Sequence, residues 1–326
     1  MKRSTIAVAG LALISVLAGP FGPSNARADE GGVSFWVPGQ QGSLAAAPAE
    51  PGWALPLVYY HLDADANGAK DFAVGGRIAA GVDARADLVM LVPTYVFTTA
   101  VAGGQGALGF AAVLGDMHVG AAATLTGPGG AIVTKDESDS TTAVGDLYPT
   151  FSIKWNHGVH NAMLYFAAGV PVGNYKEGRL ANLGLNHWSA DSGGAYTFYN
   201  PKSGHEFSLT GGLTYNFENP DTDYQNGVDA HVDLAWSEFV TQQTHVGMAA
   251  YAYHQLSGDS GSGAKLGDFE SAVYGIGPQV GHIFPCHGKH GYFNFRAYYE
   301  FGADHRLEGW NSMVTVAIPI GRGAAQ

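Results

Sequence analysis

Along Phe207–Phe217 every second residue is apolar or glycine: Phe207, Leu209, Gly211, Leu213, Tyr215 and Phe217. Between them fall Ser208, Thr210, Gly212, Thr214 and Asn216, with Glu206 just before. The same period runs through Val228–Ser237, where Val228, Ala230, Val232, Leu234 and Trp236 oppose Asp229, His231, Asp233 and Ser237; Ala235 is the apolar exception. In Phe293–Phe301, Phe293, Phe295, Ala297, Tyr299 and Phe301 oppose Asn294, Arg296, Tyr298 and Glu300. Leu147–Trp155 sets Tyr148, Thr150, Ser152 and Lys154 on its polar side. A period of two describes a strand with one apolar and one wet face. The pattern predicts twelve strands near 53–62, 86–98, 107–124, 145–155, 160–171, 182–199, 204–217, 227–240, 243–257, 269–284, 291–301 and 310–320. Alternation alone suits a solvated antiparallel sheet as well as a membrane barrel.

The connections separate the two. Asn156–Val159, Asn200–Ser203, Thr241–Gln242 and Pro285–His290 are short. Asp63–Arg85, Leu125–Val144, Val172–Ala181, Glu218–Asn226, Gly258–Asp268 and Gly302–Gly309 are longer or more polar. Thr99–Gly106 belongs with the short class by position and fits it poorly by length. An even strand number, with short turns at one end and long loops at the other, is the bacterial outer-membrane pattern. A soluble sandwich has no reason to alternate long and short connections.

Composition pushes the same way. The 326 residues are 46% hydrophobic and only 13% charged, where a soluble domain carries about a quarter. The 38 aromatics (16 Phe, 16 Tyr, 6 Trp) argue against a disordered polar chain, and the 47 glycines are about twice the usual share. A net charge of −12 excludes a nucleic-acid partner, since phosphates need cations. Lys2 and Arg3, an apolar run from Ile6 to Ala18 and the small-residue site Ala26-Arg27-Ala28 predict a signal peptide over 1–28, cleaved near Ala28. Its apolar run falls short of the ~20 residues that span a bilayer as a helix. Cleavage removes Lys2, Arg3 and Arg27 and no acid, so the charge moves from −12 to −15. A lone Cys286 excludes an internal disulfide framework. Past residue 28 no apolar run is long enough for a helical span, so entry into a membrane requires a closed barrel, which leaves no strand edge in lipid.

Aromatics near the strand ends suit the two interfacial girdles of such a barrel: Trp53, Tyr59, Tyr60, Trp155, Tyr199, Phe217, Trp236, Phe239, Tyr251, Tyr253, Phe284, Phe301 and Trp310. The stretch before the first strand differs. Residues 29–52 are rich in Gly, Pro and Ala, lack alternation, and hold Phe35, Trp36, Pro38 and Gln40. They are expected to fold into the barrel mouth or lumen as a plug, or else to form a flexible periplasmic extension. The chain then divides into 1–28 (signal), 29–52 (plug or periplasmic segment), 53–320 (barrel) and 321–326 (tail).

Several stretches together carry a family resemblance. They are Val33-Ser34-Phe35-Trp36-Val37-Pro38-Gly39-Gln40 with Gly42-Ser43-Leu44-Ala45-Ala46, Gly145-Asp146-Leu147-Tyr148-Pro149 with Lys154-Trp155-Asn156, and Pro171-Val172-Gly173-Asn174-Tyr175 with Arg179-Leu180-Ala181-Asn182. Further on stand Thr214-Tyr215-Asn216-Phe217, Tyr224-Gln225-Asn226-Gly227 with His231 and Asp233, Gly277-Pro278-Gln279 and Gly309-Trp310-Asn311. In this order they resemble the SphA-like, meta-pathway phenol-degradation family of outer-membrane channel proteins. The resemblance implies an outer-membrane β-barrel associated with uptake of aromatic or other hydrophobic compounds, and no catalytic residues. Unlike most such barrels, this chain ends on Gly321–Gln326 instead of an aromatic residue.

The candidate chemistry is thin. Asp63, Asp65 and Asn67 open a D-x-D-x-N-G calcium loop, but Val74 stands where the bidentate Glu belongs. His282, Cys286, His287 and His290 include zinc donors, although Pro285, Gly288 and Gly291 mark a tight turn. No Ser–His pair stands out on adjacent strands, and no G-x-S-x-G elbow is present. The expectation is therefore an all-β antiparallel barrel with no catalytic centre, metal or cofactor. Its lumen candidates are Tyr148, Lys154, Tyr165, Glu206, Asp229, His231, Asp233, Arg296, Tyr298 and Glu300. They either line a path or pair as a structural network. The expected role is passive uptake of small hydrophobic or aromatic compounds; the alternatives are an adhesin or structural barrel and, further off, an outer-membrane lipase. The partners are the solute, outer-membrane lipid, periplasmic chaperones and the barrel-assembly machinery.

Overall fold

The computed structural model describes residues 34–66, 71–74, 77–80, 82–126, 132–264 and 270–321. The expected signal peptide and Asn67 lie outside them. The strands are β1 (Gly52–Asp65), β2 (Asp71–Val74), β3 (Arg77–Ala80), β4 (Val82–Leu91), β5 (Thr94–Val101), β6 (Gly104–Thr126), β7 (Ile132–His157) and β8 (His160–Gly169). They continue with β9 (Ser189–Asn200), β10 (His205–Asn216), β11 (Asp229–Phe239), β12 (Thr244–Gln255), β13 (Ala272–Cys286), β14 (Lys289–Asp304) and β15 (Glu308–Pro319).

Neighbours pair antiparallel, and β15 returns to β1 to close the sheet. β4 and β5 together make one stave: both pair with β1 on one side and β6 on the other. The break between them is Val92-Pro93, where the proline has no N–H to give. The ladder bridges it, with Val92 N–H donating to Pro56 O and Phe110 N–H to Pro93 O. With β2–β3 set apart as a small hairpin, the barrel has the expected twelve staves. Closure leaves no strand edge for lipid to desolvate.

The short turns fall at one end. Val101 pairs with Gly104 across Ala102 and Gly103, and Cys286 with Lys289 across His287 and Gly288. Both central residues have positive φ in each (48° and 75°; 49° and 78°), the mirror-image turn that matches strand twist. Thr99–Gly106 is thus a two-residue turn flanked by strand. By the short-turn rule this end, where β1 begins and β15 ends, is periplasmic.

Parity along each strand sorts the side chains. On β10, Glu206, Ser208, Thr210, Thr214 and Asn216 are buried while Phe207, Leu213 and Tyr215 are exposed. β8 exposes Leu164 and Phe166 and buries Asn161, Met163, Tyr165 and Ala167. The outward rows with Trp53, Phe110, Phe217, Trp236, Phe301 and Trp310 form an apolar exterior that water does not favour and lipid does. Five expected girdle aromatics are corrected by the same parity. Tyr60 neighbours outward Tyr59, Tyr251 and Tyr253 share the parity of buried Ala249, Tyr199 pairs with buried Glu206 and Phe239 shares the parity of buried Ser237, so all five fall on inward rows.

At the outer end, residues 170–188, between β8 and β9, fold into the barrel. Asp146 accepts Gly173 N–H at 2.8 Å and Leu185 N–H at 2.7 Å, and Asp139 accepts Arg179 Nε at 3.2 Å. Leu180 and Ala181 pack there on Val82, Ala84, Met117 and Val119.

Candidate functional site in the barrel interior

The inward rows enclose residues 34–47, and 48–51 continue exposed to the rim where β1 begins. The first turn of the segment is written in the sequence: Gln40 N–H returns to Val37 O at 3.1 Å, with Pro38 and then Gly39 at φ 80° between. Pro at the second and Gly at the third position is the type II signature. Glycine is required at 39 for room as well, since a Cβ would lie 2.8 Å from the rings of Tyr251 and Tyr298.

Two carboxylates grip the backbone of this segment. Asp233 accepts Gly39 N–H at 2.8 Å and Gln41 N–H at 3.0 Å. Glu206 accepts Leu44 N–H at 2.9 Å and Ser43 Oγ–H at 2.6 Å. Cations and hydroxyls take its carbonyls: Arg296 donates to Gln40 O at 3.1 Å, Tyr298 to Gly39 O at 3.1 Å and Lys154 to Ala47 O at 3.0 Å. Near the periplasmic end Gln105 pairs with Ala49 both ways, and Lys289 reaches Pro51 O. At the other end Arg306, beyond β14, donates to Ser34 Oγ at 2.9 Å. The segment therefore runs the length of the interior. Hydrogen bonds to ionised groups contribute about 1.5–3 kcal/mol each where water is excluded.

The aromatic contacts come from Phe35 and Trp36 and include strands β7 and β11, which also carry Lys154 and Asp233. Phe35 tilts against Tyr148 with ring centroids 5.5 Å apart. Trp36 stacks on His231 at 3.7 Å and on Tyr165 at 5.7 Å. Eight of the ten residues expected to face the lumen (Tyr148, Lys154, Tyr165, Glu206, His231, Asp233, Arg296 and Tyr298) thus meet the segment. Asp229 accepts Asn216 Nδ2 at 2.8 Å. Glu300 accepts Tyr251 Oη at 2.5 Å, Asn311 Nδ2 at 3.0 Å and Gly309 N–H at 3.1 Å. Sequence reasoning missed Asp191, Thr197 and Gln279. Thr197 takes Ala46 N–H at 3.0 Å and Gln279 donates to Ser43 at 3.0 Å. Asp191 sits among Ala190, Ser192, Gly193 and Gly194, which give no apolar foil, and Gln279 is the one polar side chain in an inward row of Gly275, Gly277 and Gly281.

The metal candidates do not converge. Asp63 and Asp65 lie in strand β1, which cannot wrap an ion, and Asp63 is bound to Arg85 at 2.9 Å. His282 meets Thr244, His290 meets Glu50, and Cys286 meets only its neighbour His287 among the bonds at that hairpin. Among the described residues no three His, Cys, Asp or Glu side chains gather. Among the described residues two Ser–His pairs appear on adjacent strands, contrary to expectation: His245 Nδ1 lies 3.0 Å from Ser237 Oγ in the buried interior, where Ser237 also meets Ser43. His118 Nδ1 lies 2.8 Å from Ser140 Oγ on the outer surface, beside a cavity of about 280 Å³. The nearby acids do not turn to it: Asp87 holds Tyr59 and His61, and Asp116 holds Thr142.

Comparison with known proteins places this geometry. The family model described as "Putative MetA-pathway of phenol degradation" matches residues 63–316. The COG4313 outer membrane channel from Pseudomonas putida F1 superposes with a TM-score of 0.64 at 14% identity, covering 84% of this chain and 97% of that one. A Pseudomonas aeruginosa FadL homologue follows at a TM-score of 0.39 and 9% identity, covering 81% and 89%. No curated protein matches the sequence. The fold is that of an outer-membrane β-barrel.

Proposed function

The chain belongs to this phenol-degradation family, and on that footing we propose that it is a passive outer-membrane channel for small hydrophobic or aromatic compounds, with residues 34–51 as its plug. One observation carries the reading: the interior is filled by a segment held through side-chain hydrogen bonds, two each to Asp233 and Glu206 and one each to Arg296, Tyr298 and Lys154, not by strand pairing. Such bonds exchange one at a time with water or solute. A barrel built only for support can fill its centre with its own strand side chains.

With the segment displaced, Tyr148, Tyr165 and Tyr298 offer ring faces to a weakly polar solute, which stacks better than it ion-pairs. Lys154, Glu206, Asp229, His231, Asp233, Arg296 and Glu300 set the field along the path. Transport follows the gradient and needs no cofactor.

Deleting Gly31–Pro51 and reconstituting the protein in planar bilayers and liposomes tests this. Conductance and phenol-driven swelling are expected to rise severalfold. Unchanged conductance defeats the plug. Swelling that no solute alters, in either protein, leaves an adhesin or structural barrel. In the deleted protein, Tyr298→Ala is expected to slow aromatic flux several-fold and Arg296→Ala to leave it within about a factor of two; the reverse order removes stacking as the basis of passage. Ester hydrolysis by the purified protein would bring the outward Ser140–His118 pair forward instead.

A further inference from the structure

Four inward positions form one row across β8 to β11. Tyr165 pairs with Gly193, Gly193 with Gly212, and Gly212 with His231. The two glycines leave a flat floor. Tyr165 lies across it, bringing its hydroxyl within 3.2 Å of His231 Nε2. A Cβ at Gly193 would lie 2.6 Å from that hydroxyl, and one at Gly212 only 2.2 Å. Any side chain at either position would break the platform. Trp36 rests on it, tilted 13° from His231 and 29° from Tyr165.

The platform has a polar edge that its occupant does not use. His231 Nε2 lies 3.0 Å from Asp191 Oδ2, which also accepts Thr214 Oγ1 at 2.6 Å. With Nε2–H donated to that carboxylate, Nδ1 carries a lone pair. Neither His231 Nδ1 nor Asp191 Oδ1 meets a partner among the described residues, and Trp36 Nε1 meets none either. His231 is 1% exposed and Asp191 0%. Buried polar atoms normally find partners. A rim shaped around this indole would set an acceptor on its N–H, yet Trp36 Nε1 reaches neither of these two acceptors.

We propose that the Tyr165–His231 platform is the binding subsite for a monocyclic aromatic solute bearing a hydroxyl donor, and that Trp36 is an internal occupant which the solute displaces. The ring stacks where the indole now lies, and the hydroxyl donates to His231 Nδ1 or Asp191 Oδ1. A carboxylated ring is refused, because its charge would meet Asp191 and Asp233. This deepens the channel reading and rests on it. An occupied subsite lowers apparent solute affinity by the fraction of time it is free.

The test uses the full chain labelled with 5-fluorotryptophan, with Trp36→Phe assigning the Trp36 resonance. Phenol is expected to shift that resonance saturably, and cyclohexanol and benzoate to leave it in place. In isothermal titration Trp36→Ala should bind phenol about tenfold more tightly than the natural chain and at least tenfold more tightly than it binds benzene. Adding His231→Ala should erase the preference for phenol over benzene. A Trp36 signal indifferent to phenol, or equal binding of phenol and benzene to Trp36→Ala, overturns the subsite and leaves only a ring-sized hole. If Trp36→Ala fails to fold, the natural chain and His231→Ala decide by the fluorine shift alone. Phenol flux through liposomes separates the two proposals: flux without the shift keeps the channel and loses the subsite, and the shift without flux does the opposite.

Discussion

On β10 and β11 the outward rows carry Phe207, Leu213, Tyr215 and Trp236, and the inward rows Glu206, Asp229, His231 and Asp233. On the outer halves of β4 and β6 the assignment is reversed. There Asp83, Arg85, Asp87, Asp116 and His118 face outward, while Val82, Ala84, Met117 and Val119 are buried inside. The strands are made alike, so the inversion reports what lies on each side. β6 has 23 residues and β7 has 26, whereas about 9–11 cross a membrane. Their outer halves stand clear of lipid, with water outside and the folded-in 170–188 stretch within. Outside, charges ladder across strands, with His61 on Asp87 at 2.8 Å and Arg85 on Asp63 at 2.9 Å. Inside, Leu180 and Ala181 close an apolar cluster.

The comparison can be broken most forcefully at its lipid-facing side. Leu164, mid-strand on β8 and 59% exposed, should not tolerate charge. Leu164→Arg is expected to cost about 2–4 kcal/mol of unfolding free energy in lipid vesicles, read by denaturant titration. A cost below about 1 kcal/mol would mean that this row does not meet hydrocarbon. Next in size is the polar interior of β11. Asp233→Ala strips the acceptor from two backbone amides and should cost about 1–3 kcal/mol of segment docking, seen as a higher single-channel open fraction. Asp87→Ala, outside, should leave that fraction unchanged. The smallest effect belongs to the inverted arc: His118→Arg should fall within about 0.5 kcal/mol of the parent in the same vesicle titration.

Where the two sides of a strand differ in polarity, the pattern was legible. β10, β11 and β14 could be assigned side by side from their alternation because lipid and lumen make opposite demands. Legibility failed where that contrast weakens. Residues 132–144 read as loop because Thr134–Thr142 offers no apolar row, yet they form the outer part of β7, a ribbon with water on its outer side. Residues 182–188 read as strand because Leu183 and Leu185 alternate; they belong to the inward-folded stretch, and β9 begins at Ser189. The interior residues were findable by parity, but their contacts with the N-terminal segment were not. Ser43 and Glu206 lie 163 residues apart, and no local pattern couples a hydroxyl to so distant a carboxylate.

The segment is continuous with β1 at Gly52, which pairs with Val96 in the wall. A stretch leaving the lumen therefore cannot diffuse away. It remains on a short leash at the periplasmic mouth, at an effective concentration on the order of millimolar. On the proposed channel reading, reclosure is a first-order event whose rate ignores how many copies the membrane holds, and each pore keeps its own clock.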